Sequence, residues 1–287
     1  MAVLDTLIPI ANEVGRLAFS VIGSSGQLTR MQELEDKAGA SLAGAFDATL
    51  SYTVSEVEKR YISQIETLRS QMEESSQDVE IVDFGAGSGS NPKPGRVLHA
   101  SLSRICRAAS RRPISGLLMM KLIQAFQPNT VIELGTSVGI SAMYQAAGLE
   151  INNRGKIITL EGAPAVATIA EANLSQIGLS ERAEVVVGRF KDTLPNVLER
   201  SRPIEFAFID GHHDFAATLE YFEQIKPSLS TSAVLVFDDI SWSSGMATAW
   251  KKIVADPRVG LVVDIFSMGL CILNGQKRSF RVALPRS

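Results

Sequence analysis

What the chain lacks narrows its class. It has two cysteines in 287 residues, Cys106 and Cys271, far apart and neither in a CxxC pair. That gives no support to a disulfide framework and reads as two buried thiols in a reducing compartment. It has no excess of positive charge: the net charge of −3 offers no basic face to nucleic acid. The apolar stretch from Leu4 to Ile22 is interrupted by Asp5, Glu13 and Arg16 and has no basic start, so it reads as neither a signal peptide nor a membrane span, and the expected location is cytoplasmic. No internal repeat occurs.

What is present is ordinary soluble composition, 45% hydrophobic and 21% charged, on a chain long enough for a large core in one or two domains. Leu4, Leu7, Ile8, Ala11, Val14, Leu17, Ala18 and Val21 recur at helical spacing. So do Val54, Val57, Tyr61, Ile65, Leu68 and Met72, with Glu56, Glu58, Lys59, Arg60, Glu66 and Arg69 between them. This second helix has a narrow apolar seam that packs on its own domain or makes a homodimer through the N-terminal helices. A Gly-, Ser- and Pro-rich stretch follows, then a short helix around Leu98 to Ala109.

From Ile114 strands alternate with helices. Strands are expected at Thr130–Leu134, Lys156–Leu160, Ala183–Val187, Glu205–Ile209 and Ala233–Phe237, and a closing pair at Leu261–Phe266 and Leu270–Leu273. Such alternation implies a parallel sheet covered on both faces, and runs such as FAFID and AVLVFDD suit strands buried on both sides. The closing pair is joined too tightly for a parallel crossover and should be antiparallel. The tail from Lys277 to Arg286 carries four basic residues and reads as a solvated end.

Two strand–glycine turns compete as a ligand loop: IVDFGAGSGS at 81–90 and VIELGTSVGIS at 131–141. A loop that cradles a nucleoside needs a strand, a glycine turn, a helix starting at once, and a second strand ending in an acid for ribose hydroxyls. Pro92 and Pro94 interrupt the place where a helix would follow the first loop. The second has Gly135 and Gly139, a good helix, and the strand KIITLEG ending in Glu161. It is not GxGxxG, which disfavours a nicotinamide dehydrogenase.

Acids gather at the strand ends: Glu133, Glu161, Asp210, and the doublet Asp238–Asp239. Like charges on one sheet edge call for a cation or a proton between them. Asp210, Asp238 and Asp239 suggest a hard-cation site of oxygen ligands, suited to Mg²⁺. His213 is either part of a loop capping the helix at Phe215, with Asp214 as its N-cap, or a general base beside the metal.

The segments VIELGTSVGISA, IITLEG, VVVGRFKDTLP, FAFIDGHHD and VLVFDDI resemble, in order, the motifs of class I S-adenosylmethionine-dependent O-methyltransferases of the metal-dependent type: catechol, caffeoyl-CoA and macrolide-sugar enzymes. The resemblance implies a Rossmann-like α/β fold, a seven-stranded mostly parallel sheet with an antiparallel closing strand, plus an N-terminal helical extension. It places Glu133, Gly135, Thr136, Ser137, Gly139 and Ser141 around the methionine part of the cofactor. It places Glu161 on the ribose, and Gly162, Ala163, Arg189, Phe190 and Lys191 near the adenine. Asp210 borders the cofactor and joins Asp238 and Asp239 as metal ligands, with His213 as base. Catechol enzymes carry Asp-Asn where this chain has Asp238-Asp239, and a lysine where it has His213; both departures look more like the macrolide-sugar group.

The expected layout is a helical extension at 1–78, a Gly/Pro-rich loop and short helix at 79–113 that could act as a lid with His99 and Arg104, a methyltransferase core at 114–275, and a basic tail at 276–287. The expected reaction is methyl transfer from S-adenosylmethionine to a hydroxyl of a small molecule with help from a divalent metal. A metal-independent O- or N-methyltransferase and a catalytically silent cofactor-binding protein stay open beside it, because fold alone does not settle chemistry.

Overall fold

The computed structural model describes residues 24–34, 36–83, 96–273 and 277–284. The expected helix at Leu4–Ile22 and the loop at Gly85–Gly95 lie outside them. In chain order the described elements begin with α1 (24–32), α2 (Lys37–Leu50) and α3 (Glu56–Glu74). A hairpin of β1 (Asp78–Asp83) and β2 (Arg96–Ser101) follows, then α4 (Leu102–Ala109) and α5 (Pro113–Phe126). The alternating part runs β3 (Thr130–Leu134), α6 (Ile140–Ile151), β4 (Lys156–Glu161), α7 (Pro164–Gln176), β5 (Ala183–Val187), α8 (Phe190–Ser201), β6 (Ile204–Ile209), α9 (Phe215–Ile225), β7 (Leu229–Phe237) and α10 (Ser244–Ala255). It closes with β8 (Val259–Ile265), β9 (Met268–Leu273) and β10 (Arg278–Arg281).

Among the described residues the main sheet has eight strands in the order β10-β8-β9-β7-β6-β3-β4-β5. β7, β6, β3, β4 and β5 are parallel, and β9 runs antiparallel to both β7 and β8. The chain winds outward from β3 to β5 and then returns to the other side of β3 as β6. That reversal puts the topological switch point between β3 and β6, where ligands of open α/β sheets bind at the strands' carboxyl ends.

Alternation along each strand builds two cores. Val131, Phe206, Phe208, Val234 and Val236 face one, shared with α2, α3, α5 and α6. Ile132, Leu134, Ala207, Ile209, Leu235 and Phe237 face the other, under α8, α9 and α10. Continuous apolar runs were the visible trace of this double burial.

Three segments depart from expectation. Residues 96–101 form β2, antiparallel to β1, instead of the start of a helix; the helix begins at Leu102, capped by Ser101. The segment read as a basic tail supplies β10, parallel to β8. Phe280, Val282 and Leu284 alternate into the core, while Arg278 and Arg281 stay outside. The seam of α3 is wider than its apolar residues: Tyr61, Ile65, Leu68 and Met72 are buried, and so are Glu58, Glu66 and Arg69. Their charges are partnered, as buried charges must be. Lys121 of α5 donates to Glu58 at 2.5 Å. Arg69 Nε donates to Glu66 Oε2 at 2.8 Å, and the Tyr144 hydroxyl of α6 donates to Glu66 Oε1 at 2.8 Å. The α3 seam is thereby tied to the chain's own core.

Candidate active site

The turn after β3 is shaped by backbone that side chains rarely adopt. Gly135 has φ +105° and Gly139 φ +87°, and Ser137 between them has φ +48°. The amides of Gly135 and Thr136 both donate to Leu160 O at 3.1 Å, which lashes the turn to the end of β4. Gly139 starts α6 without a side-chain cap, and a Cβ there would lie 3.1 Å from Ala170 of α7.

At the end of β4, Glu161 grips the same turn. Its Oε2 accepts the Ser137 amide and its Oε1 accepts the Ala163 amide, each at 2.8 Å. Burial pushes its carboxyl up from the ordinary value, opposed by these amide bonds. Each carboxylate oxygen has a second lone pair, so the cleft-lining Glu161 can still accept from a diol.

At the ends of β6 and β7 the backbone is strained again: His212, His213 and Asp239 have φ +66°, +43° and +51°. Non-glycine residues in this region are held there by their surroundings and concentrate at functional sites. Asp214 caps α9, accepting the amides of Ala216 and Ala217 at 2.9 and 3.1 Å. That fixes the turn carrying His213, with Asp214 the N-cap that the sequence suggested. His213 Nε2 lies 3.8 Å from Asp210 Oδ1, and its Nδ1 lies 3.5 Å from Asp239 Oδ2. His212 turns the other way: its Nδ1 is 2.6 Å from the Tyr221 hydroxyl, and its ring meets Phe190 edge to face.

A cleft of about 900 Å³ opens over these strand ends. Gly135, Ser137, Glu161 and Gly162 line one part, and Arg189, Phe190 and Lys191 another. Asp210, His213 and Asp239 line the acid end, beside Trp242, which is 73% exposed at the rim. Ile81 and Val82 bring the β1–β2 hairpin to the same cleft, whereas His99 on β2 pairs with Asp78 at 2.8 Å in an exposed position.

Other expected cofactor residues sit beneath the cleft. Glu133 is fully buried on the α6 side of the sheet, accepting Gln145 Nε2 at 2.7 Å and the Thr159 hydroxyl at 2.5 Å. Burial pushes its carboxyl up to about 7, opposed by hydrogen bonds from Thr159, Ser141 and Gln145. The Thr136 hydroxyl joins this network through Thr159 at 2.6 Å. Glu133, Thr136 and Ser141 thus support the glycine turn from below, and Ala163 is buried at the start of α7.

The acid trio converges, but around a residue that sequence reasoning passed over. Arg111 Nε donates to Asp238 Oδ2, and Arg111 Nη2 donates to Asp239 Oδ1. Asp238 is 1% exposed and its Oδ1 accepts the Asp239 amide at 2.7 Å. Burial pushes Asp210 well above the usual carboxyl range, reinforced by Asp238 and opposed by Arg111. Burial likewise raises Asp238, against the pull of Arg111. Burial works against the Arg111 charge too, but Asp238, Asp210 and Asp239 outweigh it and hold the guanidinium protonated. One signal was available: Arg111 and Arg112 directly precede helix α5, whose N-terminus disfavours positive charge unless carboxylates answer it.

A divalent metal, as the resemblance implies, would need those same oxygens. Among the described residues no group of three or more His, Cys, Asp or Glu is arranged to hold one. The open trio expected at Asp210, Asp238 and Asp239 is therefore closed by Arg111, and the residues as placed do not fit a metal.

A cleft at the switch point, floored by a glycine turn and with Glu161 ending the second strand, resembles the architecture of class I S-adenosylmethionine-dependent methyltransferases. Residues 132–240 match the Methyltransf_24 family model, described as a methyltransferase domain. A catechol O-methyltransferase of Mycobacterium tuberculosis is 33% identical over 147 residues, covering 51% of this chain and 62% of the relative. One from Niastella koreensis is 31% identical over 134 residues, covering 46% and 59%. The chain thus spans about three fifths of the length of these curated relatives. Among solved structures, an O-methyltransferase from Bacillus cereus in complex with SAH aligns with TM-score 0.50 and 26% identity, over 58% of this chain and 84% of that one. Among the described residues no helix is long and apolar enough to cross a membrane.

Proposed function

We propose that the protein transfers the methyl group of S-adenosylmethionine to a hydroxyl of a small-molecule acceptor. The observation that carries this reading is that Glu161, the Gly135 turn and His213 open onto one cleft. The named O-methyltransferase relatives support it. The amino-acid part of the cofactor would lie along the Gly135–Ser137 turn and its ribose diol on Glu161. Its adenine would lie by Phe190, whose ring is braced edge to face by Tyr221 at 5.6 Å.

The reaction is an in-line displacement. The methyl carbon–sulfur bond breaks as the carbon–oxygen bond forms, the sulfonium becomes a neutral thioether, and the acceptor proton must leave. His213 takes that proton. With one ring nitrogen facing Asp239 and the other facing Asp210, the imidazolium that forms meets carboxyl groups on both sides. Positioning supplies much of the rest, since displacement requires the acceptor oxygen on the methyl axis. The divalent metal that the sequence resemblance implies has no part in this mechanism, because Arg111 holds two of the three carboxylates it would need.

Calorimetric titration with S-adenosylhomocysteine, and transfer of labelled methyl to catechol and sugar acceptors, test the reading. Saturable binding with turnover on at least one hydroxyl acceptor is expected. Absence of S-adenosylhomocysteine binding would overturn it, and binding without transfer to any acceptor would support a silent cofactor-binding protein instead.

A further inference from the structure

We propose that Arg111 is the resident cation of this site: a carboxylate-anchored guanidinium that occupies the place of a divalent metal and makes the reaction metal-independent. The inference rests on the methyltransferase reading above and names the charge that the acceptor oxygen would meet.

The oxygens of the acid doublet are already engaged. Asp238 Oδ2 accepts Arg111 Nε, and Asp238 Oδ1 accepts the Asp239 amide at 2.7 Å. Asp239 Oδ1 accepts Arg111 Nη2, and Asp239 Oδ2 faces His213 Nδ1 at 3.5 Å. A metal entering here would have to displace a charge-assisted pair from a carboxylate side chain that is 0% exposed. Arginine suits the position: its planar fork spans two carboxylates at once, whereas an ammonium would act as a point charge.

The contact is held from the backbone. Arg111 lies between two helices whose ends are fixed on either side of it. The Ser110 amide donates to Cys106 O at 2.9 Å, and the Arg112 carbonyl accepts the amides of Ser115 and Gly116 at 2.9 and 3.2 Å. Pro113 at the first position of α5 restricts the chain further. The Arg111 side chain is 28% exposed and lines the cleft beside Asp210 and His213. A guanidinium has five N–H donors, and its two carboxylate bonds use two of them. The arrangement therefore provides a fixed positive charge next to the acceptor, favouring an oxygen that carries negative charge as its proton departs to His213.

Mn²⁺ binding to the full-length protein, read by electron paramagnetic resonance, tests the proposal without relying on turnover. Wild type should show no saturable Mn²⁺ site. R111A should gain one, and R111A/D238N should lose it again. Saturable Mn²⁺ binding by wild type that D238N abolishes would overturn the proposal, as would failure of a folded R111A to gain a site. Should R111A not fold by circular dichroism, R111Q keeps the test, because it removes the charge but retains a donor for one carboxylate. Binding of S-adenosylhomocysteine in the same samples separates the two readings: its absence from wild type defeats the methyltransferase assignment, whereas Mn²⁺ in wild type defeats only the role of Arg111.

Discussion

Gly135 and Asp210 stand back to back across the switch point. The Asp210 amide donates to Leu134 O at 2.9 Å, and a Cβ built on Gly135 would lie 2.2 Å from Asp210 O. The turn expected to cradle the cofactor and the first acid of the trio thus share one backbone contact, so the placement of either constrains the other.

Gly135→Ala is therefore expected to abolish S-adenosylhomocysteine binding or prevent folding, since backbone at both sides has no room to yield. Gly178→Ala is the control. Gly178 also has positive φ, +75°, but nothing lies within 4 Å of its added Cβ. Only left-handed strain remains there, about 1–2 kcal/mol, with binding retained. Thermal melts and calorimetry on both variants check this; equal behaviour of the two would remove the contact as the cause.

Glu161 holds the turn through two amides, so replacing it should act on affinity. Loss of charge-assisted bonds of about 1.5–3 kcal/mol predicts that Glu161→Gln weakens S-adenosylhomocysteine roughly 10- to 100-fold. Binding unchanged within about twofold, against a tenfold step of 1.4 kcal/mol, would place the ribose elsewhere.

These sites differ in how far the sequence revealed them, and the difference is physical. β3, β4, β6 and β7 were visible because strands buried on both faces read as largely unbroken apolar runs, and the strand leading into the earlier glycine loop pairs antiparallel with β2, outside the main sheet. β2 was read as helix because a hairpin strand depends on its partner ladder, not on local propensity. β10 was masked by the basic residues on its outer face. Burial of Glu58, Glu66 and Arg69 depends on Lys121 and Tyr144, and Arg111 meets Asp238 across 127 positions. No local pattern encodes such partners. Glu133 was recognised as a strand-end acid, but its place beneath the turn follows from which sheet face it occupies.

That buried position makes Glu133 a source of pH-dependent stability. Its folded pKa of about 7 lies above the ordinary 4.5, so between those values the native state holds a proton that the unfolded chain has released. Stability from this group is therefore lost as pH rises through that window, by on the order of 3 kcal/mol above pH 7. Gln145 Oε1, buried without a partner, fits a protonated neighbour: with the amide turned over, it would accept the Glu133 proton. Glu133→Gln should raise Tm at pH 8 and have little effect near pH 4.5, measured as the difference from wild type. A variant destabilised equally at both pH values would show that the carboxyl itself is needed.

His213 should affect turnover and leave cofactor affinity alone, because its ring nitrogens face Asp210 and Asp239 while the proposed cofactor cradle is the Gly135 turn with Glu161. His213→Ala is expected to lower kcat by about 10²–10⁴, the usual span for losing a general base, with S-adenosylhomocysteine binding within about twofold of wild type. His213→Lys distinguishes a base from a merely structural ring. An amine, intrinsically more basic than an imidazole, should restore part of the rate and move the pH–rate profile to the alkaline side. Recovery without movement of the profile would mean that His213 only shapes the turn above Asp214, and the proton would have to leave by another route.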